Sequence, residues 1–526
     1  MEWLNTREGE RLGALGPAVD EAIADLVARD AVARVWSGDH TLWQDDPTEV
    51  ADRLGWLRVG PEIAAAQADL DAFAADVFAE GFTHVLVMGM GGSSLFPEVV
   101  ASTFTRADDR PRLSVLDSTD PAAIGRVESS LDLDRTLFVA SSKSGSTLET
   151  ASHLAYFWEQ VGRPEQFAVV TDAGSALEAT ARDRGFRRVF LNRPDIGGRY
   201  SALSYFGMVP AALAGIDELR LLRSADVLAA QLGPDGDPHR HPGLRLGAVM
   251  SAAVKAGRDK LTLLLDPEIA TFGLWLEQLL AESTGKQGTG VVPVAGEEVA
   301  DDLSAYGDDR LFVGLGWNPA LDELADAGHP VVELPYENAY GLGAQVLLWE
   351  FATAICGAGL GINPFDQPNV AEAKAATNDV LARVTGDEGA AALAVDRQPL
   401  AGLLDQVRPG DYLSIQAYVD PEDPLVGDID AVRHALRDRL GVATTLGVGP
   451  RFLHSTGQLH KGGPPSGVFV QVLDEDLPAG GGPAIPGQDF GFGTLIAAQA
   501  AGDLATLRAH GLRSGRVTLD DLLAAG

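Results

Sequence analysis

In Ser141-Ser142-Lys143-Ser144-Gly145-Ser146-Thr147, five hydroxyls and a lysine fall within seven residues, between the apolar run TLFVA and a helical stretch, LETASHLAYFWEQ. At a strand-to-helix junction the free N–H groups and the positive end of the helix dipole face the same way, and hydroxyls add donors. That combination suits a phosphate monoester. One serine or threonine would be an ordinary helix cap; five around a lysine exceed what capping needs. The lysine carries weight because Lys143, Lys255, Lys260, Lys286, Lys374 and Lys461 are the only ones in the chain.

Four further stretches have the makings of a site. Gly89-Met90-Gly91-Gly92-Ser93-Ser94 follows the apolar run HVLV, and its glycines let a ligand approach the backbone. A dinucleotide fingerprint needs glycine at position 94 and an acidic residue about 20 positions on. The chain has Ser94 instead, with Asp109 and Asp117 both near. Asp195-Ile196-Gly197-Gly198-Arg199-Tyr200-Ser201 sets a fixed cation after paired glycines, where it can stabilise developing oxyanion charge. Glu282, in LLAESTGK, ends an apolar helix at a glycine turn, and a carboxylate so placed can act as a base. Lys286 is followed by Gln287, which breaks the nucleotide P-loop pattern. Asn363-Pro364-Phe365-Asp366-Gln367-Pro368 fixes a turn, and the helix after it presents Lys374 about two turns along. A lysine near a bound sugar can donate a proton to a ring oxygen.

These stretches need elements to carry them. HVLVMG, LSVLD, TLFVASS, FAVVTD and RVFL recur with room for a helix between each pair, the pattern of a parallel sheet buried on both faces. LTLLLD, RLFVGLG and HPVVEL repeat the rhythm, and YLSIQAYV, VATTLGVG and VFVQVL repeat it again. PAGGGPAIPGQD reads as a Gly/Pro loop before a last helix near TLIAAQAAGDLATLRAHG. The expected organisation is α/β throughout: a helical segment at 1–80, tandem α/β domains at 81–230 and 231–384, and a C-terminal α/β domain at 385–526.

Composition narrows the setting. Hydrophobic residues make up 46% and charged residues 22%, enough for sizeable cores. A formal charge of −35 repels phosphodiester backbones and anionic membranes, so neither is an expected partner. No apolar run reaches the ~18 residues a membrane helix needs. MEWLNTREGE lacks a signal-peptide core, and the lone Cys356, among apolar neighbours, can form no internal disulfide. A soluble cytoplasmic protein is expected. With no HExxH, CxxC or clustered carboxylates, neither a metal nor another cofactor is expected.

Taken together, SSKSGSTLET, GGRYS, the ES-x-GK turn and FDQ…K resemble the phosphoglucose isomerase family, in its order, over roughly residues 80–375. The resemblance implies two sugar-isomerase (SIS) domains, each a parallel sheet sandwiched by helices. It implies reversible isomerisation of glucose 6-phosphate and fructose 6-phosphate through a cis-enediol, in glycolysis and gluconeogenesis, by a homodimer with sites near its interface. Gly92 and Ser93 would line the sugar-phosphate site, and Ser142, the backbone at Lys143, Ser144 and Thr147 would hold the phosphate. Arg199 would stabilise the enediolate and Glu282 would be the base. Gln367 and Lys374 would contact the sugar, Lys374 assisting ring opening, and Glu149 matches another site-lining glutamate. GPRFLHSTGQLHKGGPPSGVFVQV looks like the isomerase half of fused transaldolase–phosphoglucose isomerase proteins.

The chain departs from the family in two places: the stretch GVVPVAGEEVADDLSAYGDDRLFVG after Glu282 lacks the family's ring-opening histidine, with His329 beyond it reading as structural at a strand entry, and Asn369 stands where the family's motif has a small residue. His454, in the Gly-flanked loop RFLHSTGQLHKGG, is the substitute, with His460 second, since a histidine titrating near neutrality can shuttle the ring proton. Two alternatives stand beside this reading. One is an isomerase that also accepts mannose 6-phosphate. The other is a non-catalytic sugar-phosphate-binding SIS protein, which would need the serine loop but neither Glu282 nor Lys374.

Overall fold

A computed structural model describes residues 9–316, 318–385, 389–473 and 482–526. Residues 1–8 of the segment expected to be helical, and 478–481 of the expected Gly/Pro loop, lie outside them. The chain opens with a two-residue strand, β1 (Glu10–Arg11), then runs through helices to residue 79. A first sheet follows: β2 (His84–Met88), β3 (Arg112–Leu116), β4 (Thr136–Ser141), β5 (Phe167–Asp172) and β6 (Arg188–Asn192), all parallel, in the order β3-β2-β4-β5-β6. The second sheet contains β7 (Lys260–Leu265), β8 (Val292–Val294), β9 (Arg310–Leu315) and β10 (Val331–Leu334), ordered β10-β9-β7-β8, and β1 adds an antiparallel edge to β10. A third parallel sheet has β11 (Tyr412–Tyr418), β12 (Ala443–Val448), β13 (Gly467–Leu473) and β14 (Arg513–Arg516), ordered β12-β11-β13-β14.

Alternate residues of the first sheet serve different cores, because side chains along a strand point to opposite faces. Val85, Val87, Leu137 and Val139 join the largest core, which also takes in the N-terminal helices and the helices around residues 205–284 and 342–360. Leu86, Met88, Phe138 and Ala140 face the other way. There they meet the helix Leu148–Val161, Val380 and Leu381 of Val370–Thr385, and Phe492, Leu495 and Ala498 of Phe492–Ala509. The C-terminal region thus packs directly on the first sheet.

The order of the first sheet sets the site. β3 lies on one side of β2 and β4 on the other, so the loops leaving β2 and β4 diverge at their carboxyl ends and open a crevice. Ligands of open α/β sheets bind at such switch points, and these two loops carry Gly89–Ser94 and Ser142–Thr147. In the third sheet, β12 and β13 flank β11 in the same manner, and the loop after β12 carries His454.

The structure corrects the sequence reading in three respects. The 1–80 segment is not wholly helical, since β1 pairs with β10. β8 and β14 went unforeseen: β8 is three residues long, and β14 reads RSGR. And one helix, Ala339–Leu360, is long and apolar enough by length and composition to cross a membrane, though 94% of its apolar window is buried inside the protein. A helix that is apolar all round can equally form a core, as this one does.

Candidate active site

A cavity of about 670 Å³ opens at the crevice and is lined by Gly91, Gly92, Ser93, Ser142, Lys143, Ser144, Thr147, Arg199, Gln278, Glu282, Gln367, Lys374 and His454, among others. Residues as far apart in sequence as Gly91 and His454 thereby meet in one cleft. Close approach explains two of the glycines. A Cβ at Gly92 would lie 1.9 Å from the Gly198 carbonyl oxygen, and one at Gly91 (φ +53°) would lie 2.8 Å from the His454 carbonyl oxygen. Only glycine lets the β2 loop touch both the arginine loop and the histidine loop.

The β4 loop is hydroxyl-rich and internally wired. Ser142 Oγ lies 3.2 Å from Thr147 Oγ1 and accepts the Gly145 N–H, and Ser144 Oγ lies 2.9 Å from Ser146 Oγ. Thr147 precedes the helix Leu148–Val161 and makes no side-chain cap, so the first N–H groups of that helix remain available to an anion. Lys143 does not point its ammonium freely into the cleft: it pairs with Asp172 and donates to the Pro194 carbonyl at 2.9 Å. Burial raises the Asp172 carboxyl, and Lys143 opposes that rise. The N-terminal segment contributes Asp52 and Arg53 to the same end of the cavity, a contribution no local pattern announces.

Arg199 is 3% exposed and nearly saturated. Its Nε donates to Ser283 Oγ (2.8 Å), Nη1 to Gln367 Oε1 (2.7 Å), and Nη2 to the carbonyls of Pro364 (3.0 Å) and Asp366 (2.7 Å). A guanidinium has five N–H groups, so one remains, on Nη1, which faces Glu282 Oε2 at 3.6 Å. That separation is too long for a hydrogen bond, so the last N–H of Arg199 is left for a substrate oxygen beside the base. Gln278, one turn before Glu282, donates to Glu282 Oε2 (3.2 Å) and to the His454 carbonyl (2.8 Å). Its Oε1 is buried without a partner among the described residues. Behind Arg199, Lys286 donates to the carbonyls of Asn363 (2.6 Å) and Asp366 (2.5 Å) and to the Asp366 carboxylate (2.5 Å). Burial, with the nearby charge of Arg199, lowers the Lys286 pKa to about 7 despite Asp366. Two buried cations therefore clamp the turn that carries Gln367.

His454 Nε2 lies 2.8 Å from Glu149 Oε1. Burial pushes the Glu149 carboxyl up, but His454 overrides it and holds the pKa down at about 2. Gln499 Nε2 donates to the same oxygen at 2.7 Å. Upstream, Arg451 makes two 2.9 Å bonds to Asp117, which also accepts from Ser94. Asp117, near the acidic position of a dinucleotide fingerprint, is instead an anchor for the histidine loop. Downstream, Gln458 donates to the carbonyl of Gly285 (3.0 Å) and to Asn369 Oδ1 (2.8 Å). His460, the second candidate, is not in the cavity: it is buried in the third-sheet region beside Gln416, and burial drives its pKa well below the usual value. Lys374 stands exposed at the rim, in the second turn of the helix Val370–Thr385. The helix begins at Val370, so Lys374 lies about one turn into it, not two.

Sequence reasoning missed Gln278, Asp172, Arg53 and Gln499. Gln278 alone carried a local signal, sitting four residues before the base on one helix face.

Comparison with known proteins identifies the family. The family model described as phosphoglucose isomerase matches residues 72–298. A glucose-6-phosphate isomerase of Geobacter sulfurreducens is 31% identical over 431 residues, 68% of this chain and 80% of that protein. One from Nostoc sp. is 27% identical over 429 residues, 70% and 80%. Among solved structures, a hypothetical protein from Thermus thermophilus superposes with a TM-score of 0.59 at 24% identity, over 71% of this chain and all of that one. A glucose-6-phosphate isomerase from Chlamydia trachomatis gives 0.55 at 20%, over 69% and 80%. These two share the fold.

Proposed function

The chain belongs to the phosphoglucose isomerase family, an aldose–ketose isomerase of glucose 6-phosphate and fructose 6-phosphate, and from that premise we propose how its residues divide the work. Ser142, the Lys143 backbone, Ser144, Thr147 and the free N–H groups of the helix start hold the phosphate, and Gly92 and Ser93 line the sugar. His454, braced by Glu149, carries a proton between the ring oxygen and O1, assisted by Lys374. Gln278 engages Oε2 of Glu282, so Oε1 takes the C2 proton. The resulting enediolate shares its charge with the last N–H of Arg199, and Glu282 returns the proton to C1 while Gln367 holds a neighbouring hydroxyl.

The observation that carries this reading is the unspent Nη1 N–H of Arg199 beside Glu282 (Nη1 to Oε2 3.6 Å), in the same cavity as the hydroxyl loop. A base next to a fixed cation suits a reaction in which a weakly acidic carbon must lose a proton and a negative oxygen must be stabilised together. The reading extends to a cytoplasmic homodimer in glycolysis and gluconeogenesis, supported by the family resemblance and by a chain whose single cysteine is buried. To test it, glucose 6-phosphate is converted and fructose 6-phosphate assayed, with Glu282→Gln in parallel. A general base supplies about 10²–10⁴ in rate, so a variant turning over within a few-fold of wild type would refute the assignment.

A further inference from the structure

The helix Phe492–Ala509 lies beyond the residues the family model matches and is buried almost all round. Beside Thr494 and Thr506, its buried polar residues are Gln499 (3% exposed) and Asp503 (1%), four apart and so on one face. Burying such groups costs free energy unless they are fully bonded, and both are spent on the same object. Asp503 pairs with Lys461 at 2.6 Å, anchoring the segment that follows His454. Gln499 bonds Glu149 Oε1 at 2.7 Å, the oxygen that meets His454 Nε2.

The orientation of the Gln499 amide follows from chemistry. An ionised carboxylate only accepts, so the amide nitrogen faces Glu149 and Oε1 faces Thr119, whose hydroxyl donates to it at 2.7 Å. Thr119 thus fixes Gln499, Gln499 fixes Glu149, and Glu149 fixes the histidine ring.

We propose that Gln499 is a positioning residue for ring opening, acting on substrate only through Glu149 and His454. The inference rests on the role given to His454 above. A glutamine that merely filled the core would have no reason to affect ring opening alone.

The test is Gln499→Leu, which keeps the volume and removes the donor, with Thr119→Val as a milder variant that leaves the helix untouched. Turnover of cyclic glucose 6-phosphate is measured beside inhibition by a five-carbon phosphorylated hydroxamate, an acyclic enediolate mimic with no ring to open. Gln499→Leu is expected to lower kcat about tenfold, as loss of an orienting partner commonly does, with the inhibition constant within about twofold of wild type; Thr119→Val follows with a smaller loss. In a His454→Ala background Gln499→Leu should add nothing further. Parallel weakening of the hydroxamate, or an undiminished loss in the His454→Ala background, overturns the proposal while leaving His454 in place. Unimpaired turnover by His454→Ala alone overturns the ring-opening assignment itself, and the proposal with it.

Discussion

Replacing Gly92 with alanine tests whether the cleft is set by backbone contact. The new Cβ would fall 1.9 Å from the Gly198 carbonyl oxygen, 2.3 Å from its carbon and 3.0 Å from its Cα, whereas real Cβ atoms essentially never come within 3.0 Å of another heavy atom. The β2 loop and the 197–199 turn must therefore part by about 1 Å. Neither can yield cheaply, because the partner atoms are backbone, and Arg199 beside them is fixed by bonds to Ser283, Gln367, Pro364 and Asp366. Overpacking of this kind costs about 1–3 kcal/mol of stability. A misplacement of about 1 Å between reacting groups costs about 10²-fold in rate. Gly197→Ala is the control: its Cβ meets nothing closer than 3.8 Å, and Gly197 has an ordinary φ of −69°. Conversion of fructose 6-phosphate is followed by reduction of a nicotinamide cofactor in a coupled assay, with thermal melts on the same samples. Gly92→Ala should fall about a hundredfold in kcat/KM with a lowered Tm, and Gly197→Ala should match wild type. A Gly92→Ala enzyme within threefold of wild type would show that the loops adjust freely, and the reasoning fails.

Two further outcomes follow from the site. Lys286 has its pKa lowered from 10.5 to about 7 in the folded state; between these values the unfolded chain holds more protons, so folding stability rises with pH across that window. Melting temperatures from pH 7 to 10 should climb more steeply for wild type than for Lys286→Met, and equal slopes would refute the shift. Glu282 and His454 reach the cavity from one chain, so co-refolded Glu282→Gln and His454→Ala should remain inactive together; recovered turnover would mean that chains lend each other these residues.

Legibility from sequence followed contact distance. The serine loop, GGRYS and the base turn each gather distinctive residue types within a few positions, and each was readable as a local pattern. The strands of the first sheet, with β7, β9 and β10 of the second, announced themselves because strands covered on both faces are continuous apolar runs. β14 did not, because RSGR spends its backbone in the ladder while Arg516 bonds Gln471 of β13, a partner 45 residues earlier. Asp117 looked like half of a nucleotide fingerprint, and only the folded chain shows Arg451 against it. Gln499 was invisible for the same reason: in an alanine-rich helix a glutamine looks solvated until Glu149, 350 residues earlier, comes into register with it. Choosing between His454 and His460 required the loop geometry, since both sit in one glycine-flanked segment.

The helix Ala339–Leu360 has a consequence for biosynthesis. Its neighbours, the helices Gly16–Ala28, Glu218–Ala229 and Pro242–Lys255, all precede it in the chain. Trp43 and Arg29 from the first fifty residues close over it by bonding the carbonyls of Ala354 and Ala358. As this greasy rod leaves the ribosome, the helices that cover most of it have already been made and can receive it. A chain shorn of its opening helices would lose the Trp43 and Arg29 bonds that close over this segment.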